Sequence, residues 1–228
     1  MKHSQDPEEA GFSYSRSKIT GRGLSSGVIP CLTGNMIYSL IKLGFLEDER
    51  VSDSIQWIIK YQRADDGIQY LPTGRVYERY KMCWGKHSCH MGVAKTLKAL
   101  AAIPENKRSP EISNKLSELA EYFLIHHIYK KSHDLDKVSR PGWLKFGFPL
   151  MYQTDILELL SIFSQLKIHD QRLNDALEIV SSKCMKDGKW KLENSYNGKT
   201  VVRIESKGDP SKWITLRALM VQKEYALM

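Results

Sequence analysis

The chain has no long hydrophobic run. No segment approaches the roughly 18 uninterrupted apolar residues of a membrane-spanning helix, and residues 1–8 lack the apolar core of a secretory signal peptide. These two absences predict a cytoplasmic protein without a membrane span. Cysteine is also scarce, and without an export signal we expect thiols rather than disulfides. The four cysteines are Cys31, Cys83, Cys89 and Cys184.

Acidic residues are fewer than basic ones. The chain has 34 Lys and Arg against 26 Asp and Glu, which gives a net charge of +8. This sign favours a polyanionic partner, namely a nucleic acid, a phosphorylated ligand or an acidic lipid surface. Interleaved aromatics and a groove-reading module are both missing, which argues against nucleic acid. Peripheral contact with an anionic membrane remains compatible with the charge.

Three stretches of the chain begin alike, with small or polar residues that lead into an apolar helix. They open at Thr33, Ser88 and Tyr152, and a shorter fourth stretch opens at Ser211. Each full copy continues into a second helix with one apolar stripe at helical spacing. The stripes are Val51-Ile55-Ile58-Ile59, Ile112-Leu116-Leu119-Ala120-Phe123 and Leu173-Ala176-Leu177-Val180-Cys184.

The first helices differ from the second ones in how they are buried. The helix between Ile156 and Leu166 is apolar almost all round, so we expect it to be enclosed. Enclosed helices paired with half-exposed ones predict an all-α fold, an α/α toroid of inner and outer helices that is closed or an incomplete ring. A homo-oligomer that completes the ring is a further expectation. The only β-structure expected is a hairpin around Asn197-Gly198.

This organisation divides the chain into two parts. Residues 1–27 are interpreted as the end of a missing repeat, and residues 28–228 as the toroid domain. The predicted repeats lie near 31–70, 88–134 and 151–196, with a half repeat at 211–225.

Two turns carry a common pattern. Gln62-Arg63-Ala64-Asp65-Asp66-Gly67 ends one outer helix, and Gly188-Lys189-Trp190 ends another. Together with the paired helices, they resemble the Gln–Gly–Trp repeats of the terpenoid cyclase and protein prenyltransferase superfamily, the prenyltransferase and squalene oxidase repeat type. The resemblance covers residues 28–225. It implies a central cavity that holds an isoprenoid or another elongated apolar ligand.

The resemblance also implies a metal. Lys86-His87-Ser88-Cys89-His90 is similar to the segment that supplies the zinc-ligating histidine of protein prenyltransferase β subunits, with His87 at the matching position. Thiolates and imidazoles select zinc, and helix N-termini favour the thiolate. The alternative is that these residues are small core cysteines and histidines that line a polar pocket. The candidate zinc ligands at the rim are Cys31, Cys83, His87, Cys89 and His90.

The third repeat and the half repeat supply the candidate ligand site. Asp155 is the only carboxylate that enters the most apolar helix, and we interpret it as a catalytic acid or base, or as a helix cap. Aromatic side chains before this helix can line an apolar cavity or pack between repeats. Basic residues nearby suit an anionic head group. The candidate ligand-binding residues are Arg140, Trp143, Phe146, Tyr152, Lys212 and Trp213.

Two functions follow from these patterns. The first is a protein similar to a prenyltransferase or terpene cyclase, with an isoprenoid in the cavity and zinc at its rim. The second is a non-enzymatic binding or assembly module in which the Cys and His residues are structural. The missing D-x-D-D, D-D-x-x-D and D-x-C motifs favour the module, whereas the concentration of Cys and His at one rim favours the enzyme.

Overall fold

The computed structural model describes residues 4–6, 8–67, 70–79, 81–196 and 198–225. The chain forms two compact units, Met1–Tyr122 and Phe123–Met228. Helices of the first unit are α1 (Pro30–Lys42), α2 (Glu49–Tyr61), α3 (Arg75–Arg79), α4 (Lys81–Trp84), α5 (His90–Ala101) and α6 (Pro110–Ile125), the last of which spans the boundary in sequence. The second unit contains β1 (Lys130–Lys131), β2 (Asp134–Val138), α7 (Ile156–Gln165), α8 (Asn174–Ser182), β3 (Trp190–Lys191), β4 (Pro210–Ser211) and α9 (Lys212–Tyr225).

The first unit is built on the contact between α1 and α5. Gly34 makes this contact close, because a Cβ at that position would lie 2.4 Å from the Lys95 carbonyl carbon. Asp48 is the N-cap of helix α2, and its side chain accepts a hydrogen bond from Arg50 N. Val51, Ile55 and Ile58 of its predicted stripe are buried, whereas Ile59 is half-buried. The two predicted first helices of this unit are therefore neighbours in space.

The second unit is built on α7. The helix is buried almost all round, as its composition predicts, and it packs against the inner face of α9. That inner face consists of Ile214, Ala218 and Val221. The turn Gly188-Lys189-Trp190 adds an enclosed indole, since Trp190 Nε1 donates to Val180 O at 2.7 Å. This Trp ties the end of α8 to the core.

The prediction of an all-α toroid is wrong. The chain combines helices with two antiparallel strand pairs, β1 with β2 and β3 with β4. Helix α6 ends where His127 and Ile128 adopt φ of 41° and 71°, in the left-handed region, and the chain then returns as β2. These short strands are mostly polar, so hydrophobic periodicity gives no sign of them. Hydrophobic periodicity indicates which face of a helix is buried, but it does not indicate how the helices are arranged around an axis.

Two smaller predictions also have outcomes. The predicted hairpin turn at Asn197-Gly198 includes Asn197, which lies outside the described residues. Strand β3, which precedes this turn, pairs with β4 and not with the segment directly after the turn. Cys184 was expected in the core but is exposed, because α8 ends at Ser182 before reaching it. Within the described ranges, no helix combines the length and the apolar character needed to cross a membrane.

Candidate functional site

Three thiols of the first unit lie together. Cys31 is the second residue of α1, Cys83 lies in α4, and Cys89 is the N-cap of α5. The Cys83 thiol hydrogen-bonds the Cys89 sulfur, and that contact and burial raise the pKa of Cys83. Burial and the neighbouring Cys89 likewise raise the pKa of Cys31. All three are half-buried. Because their pKa values are raised, Cys31 and Cys83 are neutral thiols at neutral pH.

A loop of fixed backbone holds this cluster. Ser88 N donates to Asp65 O at 2.9 Å, and Asp65 N donates to Ser88 Oγ at 2.8 Å. Gly67 N donates to Lys86 O at 3.0 Å, which completes the clamp between the two segments. Gly67 has a φ of +85°, and a Cβ there would lie 2.5 Å from the His87 ring. The positive φ favours glycine at this position, and a larger residue would also have to displace the His87 ring.

His87 belongs to this clamp. Its Nδ1 lies 3.6 Å from Asp66 Oδ1, an ion pair when the imidazole is protonated. The His87 side chain is 61% exposed. The ring therefore lies against Gly67, beside the Asp66 carboxylate.

His90 and Tyr122 form a second polar contact at the start of α5. His90 Nδ1 lies 2.9 Å from the Tyr122 oxygen, and Tyr122 O–H donates to Ser88 O at 3.1 Å. A carbonyl only accepts and a tyrosine has one proton, so His90 Nδ1–H must donate to Tyr122. In the neutral form of the imidazole, this tautomer has its lone pair on Nε2. Burial, followed by the charge of Asp66, raises the pKa of Tyr122.

The predicted zinc ligands share a neighbourhood without forming a coordination set. Among the residues with described positions, no three His, Cys, Asp or Glu side chains are arranged to hold a metal ion. His87 is held by Asp66, and His90 is held by Tyr122. The described side chains thus do not fit zinc as they stand.

Asp155 is the N-cap of α7 in the second unit. Its carboxylate accepts hydrogen bonds from Glu158 N and Gly147 N, both at 2.8 Å. It joins the helix start to the loop before it. Burial raises the pKa of Asp155 to about 6, although both hydrogen bonds act in the opposite direction. The capping interpretation of this carboxylate accounts for its contacts.

The predicted ligand-binding residues of the second unit divide into buried and exposed ones. Trp143 and Phe146 belong to the core. Lys183 Nζ lies 4.9 Å above the Phe146 ring, and its ammonium pairs with Glu193. These contacts are packing within the unit. The members on the surface are Arg140, Tyr152, Lys212 and Trp213.

Helix α9 presents apolar side chains to solvent, which sequence reasoning missed. Opposite its buried face lie Trp213, Leu216, Leu219 and Met220, which are 41%, 53%, 49% and 62% exposed. The signal was present in the sequence, since apolar residues occur on both faces of this helix. We call this surface the α9 outer face; it consists of Lys212, Trp213, Leu216, Leu219, Met220 and Lys223.

An aromatic layer supports one edge of the α9 outer face. The Trp213 ring stacks on Phe148 with centroids 4.9 Å apart and an interplanar angle of 10°. The Arg217 guanidinium lies 5.4 Å from the centroid of the Phe148 ring. This layer fixes Trp213 in a partly exposed position beside a cation.

The first unit also has a groove of about 450 Å³ that no sequence motif indicated. Its floor is formed by Ile55, Ile103 and Ile112, which are all more than nine-tenths buried. Glu47 and Lys107 form an ion pair at its edge. Because the floor is already covered, the groove offers little apolar surface to a ligand.

Comparisons with known proteins add no relative. No family model matches the chain, and no significant match was found among curated proteins or solved structures.

Proposed function

We propose that the protein is a binding module that docks on an anionic lipid surface through the α9 outer face. One observation carries the proposal: four large apolar side chains are 41–62% exposed on one side of a helix whose other side is buried. A surface helix normally turns polar residues to solvent. A contiguous exposed apolar patch indicates a site of interaction.

The charges on this face favour an anionic occupant. Lys212 and Lys223 are both exposed and lie at the two ends of the apolar patch. The nearest acid along the helix, Glu224, pairs with Lys167 at 2.5 Å. Interfacial helices combine such an apolar face with lysines. Each basic residue near an anionic membrane contributes about 1 kcal/mol.

The same charges disfavour a second copy of the chain as the occupant. If two outer faces pair antiparallel, Lys212 of each helix lies opposite Lys223 of the other. If they pair in parallel, each lysine meets its own equivalent. Both arrangements bring like charges together around a small apolar patch, which is unfavourable.

The shape of the surface favours a lipid layer over a single ligand molecule. The side of a helix is convex, whereas sites for small molecules are concave and enclose most of their ligand. A prenyl diphosphate or another isoprenoid shares the relevant chemistry, an apolar chain with an anionic head. A bilayer presents that chemistry as a continuous surface. With the cytoplasmic location expected from the sequence, the occupant is the anionic inner leaflet.

The proposal is tested by co-sedimentation of the full chain with vesicles of phosphatidylcholine alone or mixed with phosphatidylserine. We expect binding to the anionic vesicles that weakens at high salt. Leu216→Asp with Met220→Asp should weaken it by at least about tenfold, because two apolar contacts are lost. The matched control is Leu43→Asp with Leu71→Asp, which adds the same two charges at exposed leucines of the first unit.

Three outcomes would contradict the proposal. One is equal binding by the double variant and the wild-type protein. Another is equal binding to neutral and anionic vesicles. The third is tight, variant-sensitive binding of monomeric farnesyl diphosphate without affinity for vesicles, which would favour the isoprenoid site implied by the resemblance.

A further inference from the structure

We propose that Cys83 and Cys89 form a reversible disulfide, which makes the first unit responsive to low-molecular-weight disulfides such as glutathione disulfide. The pair lies in the thiol cluster where zinc was expected. It is independent of the α9 outer face.

The backbone places the two cysteines opposite each other. Trp84 and Ser88 form an antiparallel bridge, so Cys83 and Cys89 are the next facing pair. Cys89 N donates to Cys83 O at 3.3 Å. The bridge and this hydrogen bond make the two residues close neighbours across the turn that follows α4. A disulfide requires such neighbours, with Cα atoms about 4.4–6.8 Å apart.

The side chains are turned toward one another. The Cys83 thiol is a hydrogen-bonding partner of the Cys89 sulfur, so the two side chains lie on the same side of the bridge. Both residues are half-buried.

The N-terminus of α5 selects Cys89 as the attacking group. Helix α5 has 12 residues, and the positive end of its dipole favours a thiolate at the N-cap. The Cys89 thiolate attacks one sulfur of glutathione disulfide and releases one glutathione thiolate, which takes up a proton. The Cys83 thiol then loses its proton and attacks the Cys89 sulfur, which releases the second glutathione. Two protein thiols are oxidised and one glutathione disulfide is reduced.

The bond would lock a loop on which other contacts depend. Between the two cysteines lie Lys86, whose carbonyl accepts from Gly67, and Ser88, whose carbonyl accepts from Tyr122. A disulfide fixes both carbonyls relative to α5. In the reducing cytoplasm expected from the sequence, the dithiol is the resting form and the disulfide is transient.

Peptide mapping tests the pair directly, because Lys86 separates the two cysteines. The full chain is equilibrated with glutathione disulfide, alkylated and digested with trypsin without reduction. Trypsin then gives peptides 82–86 and 87–95, which stay together only through a disulfide. We expect this linked species in the wild-type protein and in Cys184→Ser. Dithiothreitol should abolish it.

Two variants test which cysteine pairs with Cys89. Cys83→Ser should remove the linked species, and Cys31→Ser should retain it, although Cys31 is also near Cys89. Because mapping of the wild-type protein needs no variant, a failure of either variant to fold does not decide the result. The proposal is overturned if oxidised wild-type protein keeps both thiols alkylatable, or if Cys31–Cys89 is the main link. Glutathione attached only at Cys184 would overturn it as well.

Discussion

Tyr122 in the first unit and Trp213 in the second are both aromatic residues of helices, yet their surroundings are opposite. Tyr122 is 3% exposed, and its hydroxyl contacts His90 and Ser88. Trp213 is 41% exposed and has an aromatic ring and a nearby cation for neighbours. Around Tyr122 the polar groups are enclosed and hydrogen-bond one another, whereas around Trp213 the apolar side chains of the α9 outer face are uncovered. An uncovered apolar surface calls for a partner, and an enclosed polar cluster does not.

The largest expected effect separates the two faces of α9. Ile214 is fully buried, so Ile214→Ala should lower the free energy of unfolding by about 2–5 kcal/mol. Leu216→Ala on the outer face should change it by no more than about 0.5 kcal/mol. Urea unfolding of the two variants measures the difference. A similar loss in both would mean that the outer face is covered within the chain, and the comparison between the units would fail.

The next effect concerns the buried carboxylate of the second unit. The pKa of Asp155 is raised from 3.8 to about 6 by burial, so the folded state favours the protonated form. Its contribution to stability is therefore present below pH 3.8 and is lost as the pH rises to about 6. The change amounts to at most about 3 kcal/mol.

Asp155→Asn has no such ionisation. Between pH 4 and 6, the wild-type protein should lose stability relative to this variant as the pH rises. Urea unfolding across the pH range measures that difference. Parallel curves for the two proteins would contradict the role of burial at Asp155.

The smallest effect tests the polar cluster of the first unit. Tyr122→Phe removes the hydroxyl that joins Ser88 O to His90 Nδ1. Two buried hydrogen bonds are lost, so unfolding should become easier by about 1–3 kcal/mol. Tyr70→Phe is the matched control, because Tyr70 is 96% exposed. If the two variants lose the same small amount, the enclosed cluster does not stabilise the first unit.

The sequence predicted individual helices better than their assembly. Most of the predicted apolar positions of α2 and α7 are buried, because burial follows from periodicity within one helix. The way the helices assemble depends on features that hydrophobic periodicity does not reveal, such as the left-handed φ of Ile128 and the polar strand β2. The toroid prediction failed for this reason.

The candidate site shows the same division. Residue type alone pointed to the thiols and histidines as a candidate site, and in the structure Cys83 hydrogen-bonds Cys89. Residue type did not indicate that Asp66 holds His87 or that Tyr122 holds His90. Those partners lie in other segments, and only the folded chain brings them near. The exposure of Leu216 likewise depends on which side of α9 meets α7.

Tryptophan emission tests the central claim most directly. The chain has five tryptophans, and four are buried: Trp57, Trp84, Trp143 and Trp190. Trp213 is therefore the residue whose emission responds to a change outside the fold. We predict a blue shift when vesicles that contain phosphatidylserine are added, and loss of that shift in Trp213→Phe. An unchanged spectrum at saturating lipid, or a shift that persists in Trp213→Phe, would contradict docking through the α9 outer face.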